Sequence, residues 1–83
     1  MNNSNTKIEI RLSGIDEIKR FSNISRGFSS DINVSNGRTL IDAKSIMGMF
    51  NIDLSSGGWV EIISDDVDET KRFNEAMKEF AIC

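Results

Sequence analysis

The 83-residue chain is 39% hydrophobic and 28% charged, with a formal net charge of −3, one cysteine, no proline and no histidine. This is the balance of one small globular domain, residues 1–83, and it excludes a disordered chain and a protein built mainly to hold nucleic acid. Without histidine, and with the single cysteine at Cys83, no Ser-His-Asp, Cys-His or zinc constellation and no internal disulfide can be assembled.

The first residues, Met1-Asn-Asn-Ser-Asn-Thr6, lack the apolar core of a secretion signal, and no apolar run reaches membrane-spanning length. Cys83 is not placed for prenylation. A cytoplasmic protein without membrane contact is expected. Nothing in the residue types calls for a cofactor or a metal.

Thr6 to Leu12 alternates, with Ile8, Ile10 and Leu12 facing one way and Lys7, Glu9 and Arg11 the other, which predicts a half-buried strand. After Ser13-Gly14, the residues Ile18, Phe21, Ile24 (or Ser25) and Phe28 recur at helical spacing, with Asp16 as the expected N-cap and Gly27 near the end. Asp31 to Ser35 and Arg38 to Asp42 read as two strands joined by Asn36-Gly37, a hairpin signal in which both residues would take positive φ. A short helix is predicted from about Lys44 to Phe50.

Ser55-Ser-Gly-Gly58 is a turn, and Trp59 to Ser64 a fourth strand. Asp66 and Glu69, three apart, resemble a capping box opening a last helix whose stripe is Phe73, Ala76, Met77 and Phe80. The order β-α-β-β-α-β-α predicts an α+β open-faced sandwich: one four-stranded antiparallel sheet covered on one face by three helices.

Two places carry candidate chemistry. Ser45 stands at the start of the short helix, where a hydroxyl caps backbone N–H groups and where a phosphate is electrostatically welcome. It is followed by Ile46, Met47, Met49 and Phe50, more apolar side chains than a two-turn helix can bury, so part of this set is expected on the surface as a partner-docking patch. Asp16 and Glu17 form the second place. They read most simply as acidic residues opening a helix. The acidic group from Asp65 to Glu69 has the same simple reading.

The string Ala43-Lys44-Ser45-Ile46-Met47-Gly48 closely resembles the regulatory-serine segment of HPr, the small phosphocarrier of the bacterial sugar phosphotransferase system. The Asn36-Gly37 hairpin, the Trp59-Val60-Glu61-Ile62 strand and the acidic start of the last helix extend the resemblance over nearly the whole chain. It implies the fold derived above and a non-enzymatic role. It also implies that Ser45 corresponds to the target of an ATP-dependent serine kinase, and that its helix meets kinase, transcription-regulator and phosphotransferase partners.

Ser13-Gly14-Ile15 matches the family's lead-in to its phosphate-carrying histidine, which is followed by a small residue, arginine and proline. Here Asp16-Glu17-Ile18-Lys19 follows, so Asp16 occupies the histidine position. The chain is therefore similar to the catabolite-repression branch, which lacks the histidine and keeps the serine. A regulator or adaptor of carbohydrate control is expected, as a monomer or weak dimer. The alternatives are a phosphoryl carrier using Asp16, and a diverged binding module that keeps only the fold.

Overall fold

The alternating and helical stretches fold, in a computed structural model that describes residues 5–82, into the expected order. The elements are β1 (Asn5–Ile10), α1 (Ile15–Ser25), β2 (Asp31–Asn36), β3 (Thr39–Asp42), α2 (Ile46–Met49), β4 (Gly58–Ile63) and α3 (Val67–Met77). The readings of Cys83 and of residues 1–4 lie outside the described residues. The strands form one antiparallel sheet in the order β1-β4-β2-β3.

Strand alternation divides the sheet's two faces. Ile10, Ile32, Val34, Val60 and Ile62 are fully buried under the helices, against Phe21 of α1, Met49 of α2 and Phe73 and Met77 of α3. Edge-on aromatic contacts, Phe21 of α1 with Phe80 beyond α3 at 5.4 Å and Phe28 beyond α1 with Phe73 of α3 at 5.9 Å, join the two helices and the segments that follow them. The other face is open. Lys7 sits over the Trp59 ring at 5.6 Å from its centroid, and Trp59 keeps 42% of its surface exposed.

Several expected boundaries move, each for a local reason. β1 stops at Ile10 instead of Leu12, because Arg11 N–H donates to Phe80 O and Leu12 N–H to Leu54 O, both at 3.0 Å. Leu12 is still buried as part of the core. The chain after α3 returns to β1, with Ile82 N–H donating to Glu9 O at 3.0 Å.

Asp16 does not cap α1. Gly14 does, at φ 85°, a backbone that glycine adopts freely, and Glu17 turns back to accept the Ser13 N–H at 2.8 Å. The hairpin is likewise shifted by one. Asn36 pairs with Thr39, so Gly37-Arg38 is the two-residue loop, and only Gly37 has positive φ (65°). Positive φ at the first loop position alone is the type II′ pattern. On α1, Ser22 and Ser25 join Phe21 in facing inward, and their hydroxyls have no partner among the described residues.

At the start of the inner strand β4, a side-chain carbon on Gly58 would sit 2.8 Å from Ser35 O and overlap Leu54. Backbone cannot yield as a side chain does, so G58A is expected to cost about 1–3 kcal/mol. A fall in urea midpoint with unchanged slope checks this; an unchanged midpoint would show that Leu54 and β2 give way without cost.

Candidate functional site

The Ser45 segment begins with Asp42. Its side chain accepts from Lys44 N–H at 2.9 Å and its carbonyl from Ser45 N–H at 3.0 Å, which holds residues 43–44 in a turn. The helix is thus shorter than predicted, Ile46–Met49. Ser45 is its N-cap in extended conformation (φ −90°, ψ 104°), and its Oγ accepts from Gly48 N–H at 3.2 Å. The serine itself is exposed.

A side-chain carbon at Gly48 would stand 2.8 Å from the Ile41 methyl group, so the glycine lets α2 lie close on β3. That close approach sorts the apolar residues. Met49 is fully buried, whereas Met47 is 74% and Phe50 46% exposed, and Ile46 is half-buried. Met49 is therefore removed from the expected docking set: it faces the sheet from the inner side of the helix and belongs to the core.

Two cations border the serine. Arg26 Nε donates to Lys44 O at 3.3 Å, which brings a guanidinium to the peptide preceding Ser45. Lys44 Nζ donates to Phe28 O at 2.6 Å and is tied down. Neither arrangement was legible from the chain, since Arg26 caps the end of α1 and meets Lys44 only through tertiary packing.

Asp16 is exposed in the first turn of α1. Arg20, near it in sequence, points elsewhere. It makes a two-pronged pair with Glu79, Nε–Oε2 at 2.5 Å and Nη2–Oε1 at 3.0 Å, and these hydrogen bonds hold the Glu79 carboxyl below the usual carboxylate range. Nearby is an open depression of about 340 Å³, whose lining includes Arg11, Ser13, Glu17 and Glu79 but not Asp16. Among the described residues, no group of three or more acidic, cysteine or histidine side chains is placed to hold a metal ion.

The Asp66–Glu69 pair is half of the expected capping box. Asp66 accepts from Asp68 N–H and Glu69 N–H at 2.9 and 3.2 Å. Glu69 does not reach back; the Asp66 N–H goes to Ser64 Oγ at 3.0 Å instead. The Glu69 carboxylate, only 3% exposed, turns inward. It accepts from Ser29 N–H (2.8 Å) and Oγ (3.0 Å), Ser30 N–H (3.2 Å) and Oγ, and Ser64 Oγ (2.9 Å). These donors, the Ser30 hydroxyl foremost, bring its pKa down to about 2 against the opposing effect of burial. Ser29, Ser30 and Ser64 carried no signal in the sequence beyond being serines beside element ends.

Residues 16–81 match the family described as the PTS HPr component phosphorylation site. Among solved structures, HPr-C-His from Thermoanaerobacter tengcongensis is similar, with a TM-score of 0.69 and 26% identity over 94% of this chain and 91% of that one. A phosphocarrier protein HPr from Bacillus anthracis str. Ames shares the fold, with a TM-score of 0.69 and 18% identity over 94% of this chain and 99% of that one. A search of curated proteins finds no match.

Proteins of this family are phosphocarriers, not enzymes, and work with other proteins of the phosphotransferase system. Among the described residues, no helix is long and apolar enough to cross a membrane. A matched span covering most of the chain, and the same four-stranded sheet under three helices, make this chain a member of the HPr family.

Proposed function

We propose that this protein is a regulator or adaptor in carbohydrate control that does not carry phosphate on histidine. It acts through modification of Ser45 and docking on Ile46, Met47 and Phe50. The reading is carried by one observation: an exposed Ser45 adjoins exposed Met47 and Phe50 in a chain without histidine. The partners are a serine kinase, a transcription regulator or phosphotransferase components, met in the cytoplasm.

The electrostatics favour this. A phosphate on Ser45 adds about −1.5 to −2 charges. It would stand beside Arg26 and over the first N–H groups of α2, so the folded domain tolerates it and the change falls on the surface a partner reads. Met47 and Phe50 supply the apolar part of that surface, and methionine adapts its shape to differing partners.

Incubation with an HPr kinase and ATP, read by intact mass, is expected to add one phosphate to the wild type and none to Ser45→Ala. An unmodified wild type under a kinase active on its own substrate sinks the proposal. Phosphoenolpyruvate with the general phosphotransferase enzyme tests the Asp16 alternative in the same preparation. A hydroxylamine-labile phosphoryl group would support it, and no label is expected.

A further inference from the structure

The outer margin of β3 is open, and its sequence is complementary to itself. Among the described residues, β3 pairs with β2 on one side only and ends the sheet. Ala43 N–H donates to Ile32 O at 2.9 Å. In an antiparallel ladder this sets the alternation, so Ile41 and Thr39 also turn their backbone groups toward β2, to Val34 and Asn36. The N–H and C=O of Leu40 and the N–H of Asp42 therefore point away from the sheet.

Leu40 is 66% exposed, and it shares the open face with Trp59, the two lying on either side of Ser35. Arg38 lies two residues before Leu40 and Asp42 two residues after it, and both are exposed. The opposite margin is different: Ile82 and Phe80 already bond to the end of β1 and the residue after it.

The geometry points to self-association of this protein through β3, two copies pairing antiparallel about a twofold axis at Leu40. The backbone N–H and C=O of Leu40 then bond to those of Leu40 in the second copy. Arg38, in the loop just before each β3, then lies at the end where Asp42 closes β3 of the other copy, so one axis brings two opposite-charge pairs, and the open faces join with the two leucines at the seam. A second copy is the occupant that this charge order favours, because symmetry matches both charges at once. An extended peptide of another sequence would need its own acid and base at the same spacing. A four-residue edge covers far less than the about 1,200–2,000 Å² of a stable interface, so the association is weak and reversible. The inference is independent of Ser45.

Sedimentation equilibrium of the full chain is the test, from about 10 μM to 1 mM. The mean mass is expected to climb toward twice the monomer mass, with exchange of the Leu40 amide slowing in parallel. R38D puts acids at both positions and D42R puts arginines at both. Each alone is expected to associate at least about tenfold more weakly, and a 1:1 mixture of the two is expected to regain wild-type association.

Asp42 also holds the turn before Ser45, so D42R is checked by near-ultraviolet circular dichroism. Should it fail to fold, L40K serves in its place by setting two ammonium groups face to face, and it must lose the association as R38D does. A wild type that stays monomeric at 1 mM overturns the inference. So does association that survives R38D and L40K, or a mixture of folded variants that remains monomeric.

Discussion

Replacing Glu69 with glutamine is expected to lower Tm by roughly 10 °C, the scale of breaking a buried hydrogen-bonded charge in a domain of this size. One carboxylate takes five hydrogen bonds from Ser29, Ser30 and Ser64, so it ties the turn after α1 and the end of β4 to the first turn of α3. Glutamine keeps the shape but offers one oxygen and two donors where only acceptors fit. The two N–H groups of Ser29 and Ser30 cannot rotate away, so part of the set loses its partner around a side chain that is itself only 3% exposed.

The same residue fixes a pH dependence. Its pKa is about 2 in the fold against 4.5 for the free side chain, so the folded state favours the ionised form. The resulting stabilisation is complete above about pH 4.5 and is lost as pH falls from there toward about 2. Thermal melts of the wild type between pH 6 and 2.5 should descend through this window. Those of E69Q should start lower and descend less. Parallel curves for the two proteins would show that other carboxylates set the acid limb.

The second large effect separates two methionines two residues apart. Met49→Ala is expected to cost about 2–5 kcal/mol, because a fully buried side chain on a four-residue helix leaves a void between α2 and the sheet. That is a large share of a total on the order of 4–12 kcal/mol for a chain this long. Met47→Ala, at a position 74% exposed, is expected to stay within about 0.5 kcal/mol.

Urea denaturation read as midpoint and slope distinguishes them. The contrast matters for function. A loss of partner binding in Met47→Ala with an unchanged midpoint would be a surface effect. The same loss in Met49→Ala would report a damaged fold and say nothing about docking. Equal destabilisation by both would mean that the helix is rolled relative to its observed position.

Much of this was readable in the chain, and the readable parts share a cause. Elements whose signal repeats over several turns or residues came through: the alternation of Ile8 and Ile10, the Phe73-Ala76-Met77-Phe80 stripe, and the strand read from Trp59 to Ser64, which forms over Gly58–Ile63. Local hydrogen bonds came through as well, since Asp66 and Ser45 cap N–H groups only two or three residues away. Errors arose where the signal is short or has two solutions. Asp16 is as good a cap in sequence as any acid, but Gly14 had already started the helix, and Asn36-Gly37 fits a hairpin in two frames.

By itself, then, the sequence determined the order of elements, the sheet with one face covered, the serine cap of α2 and the exclusion of histidine chemistry. These follow from periodicity, composition and contacts within a few residues. Tertiary structure alone decided which methionine is a surface contact, because four helical residues are too few to show a face. It alone brought Glu69 to serines about 40 residues earlier, moved Arg20 to Glu79, and left the margin of β3 open. A charge finds its partner by where the packed elements place it, and the spacing along the chain does not carry that placement.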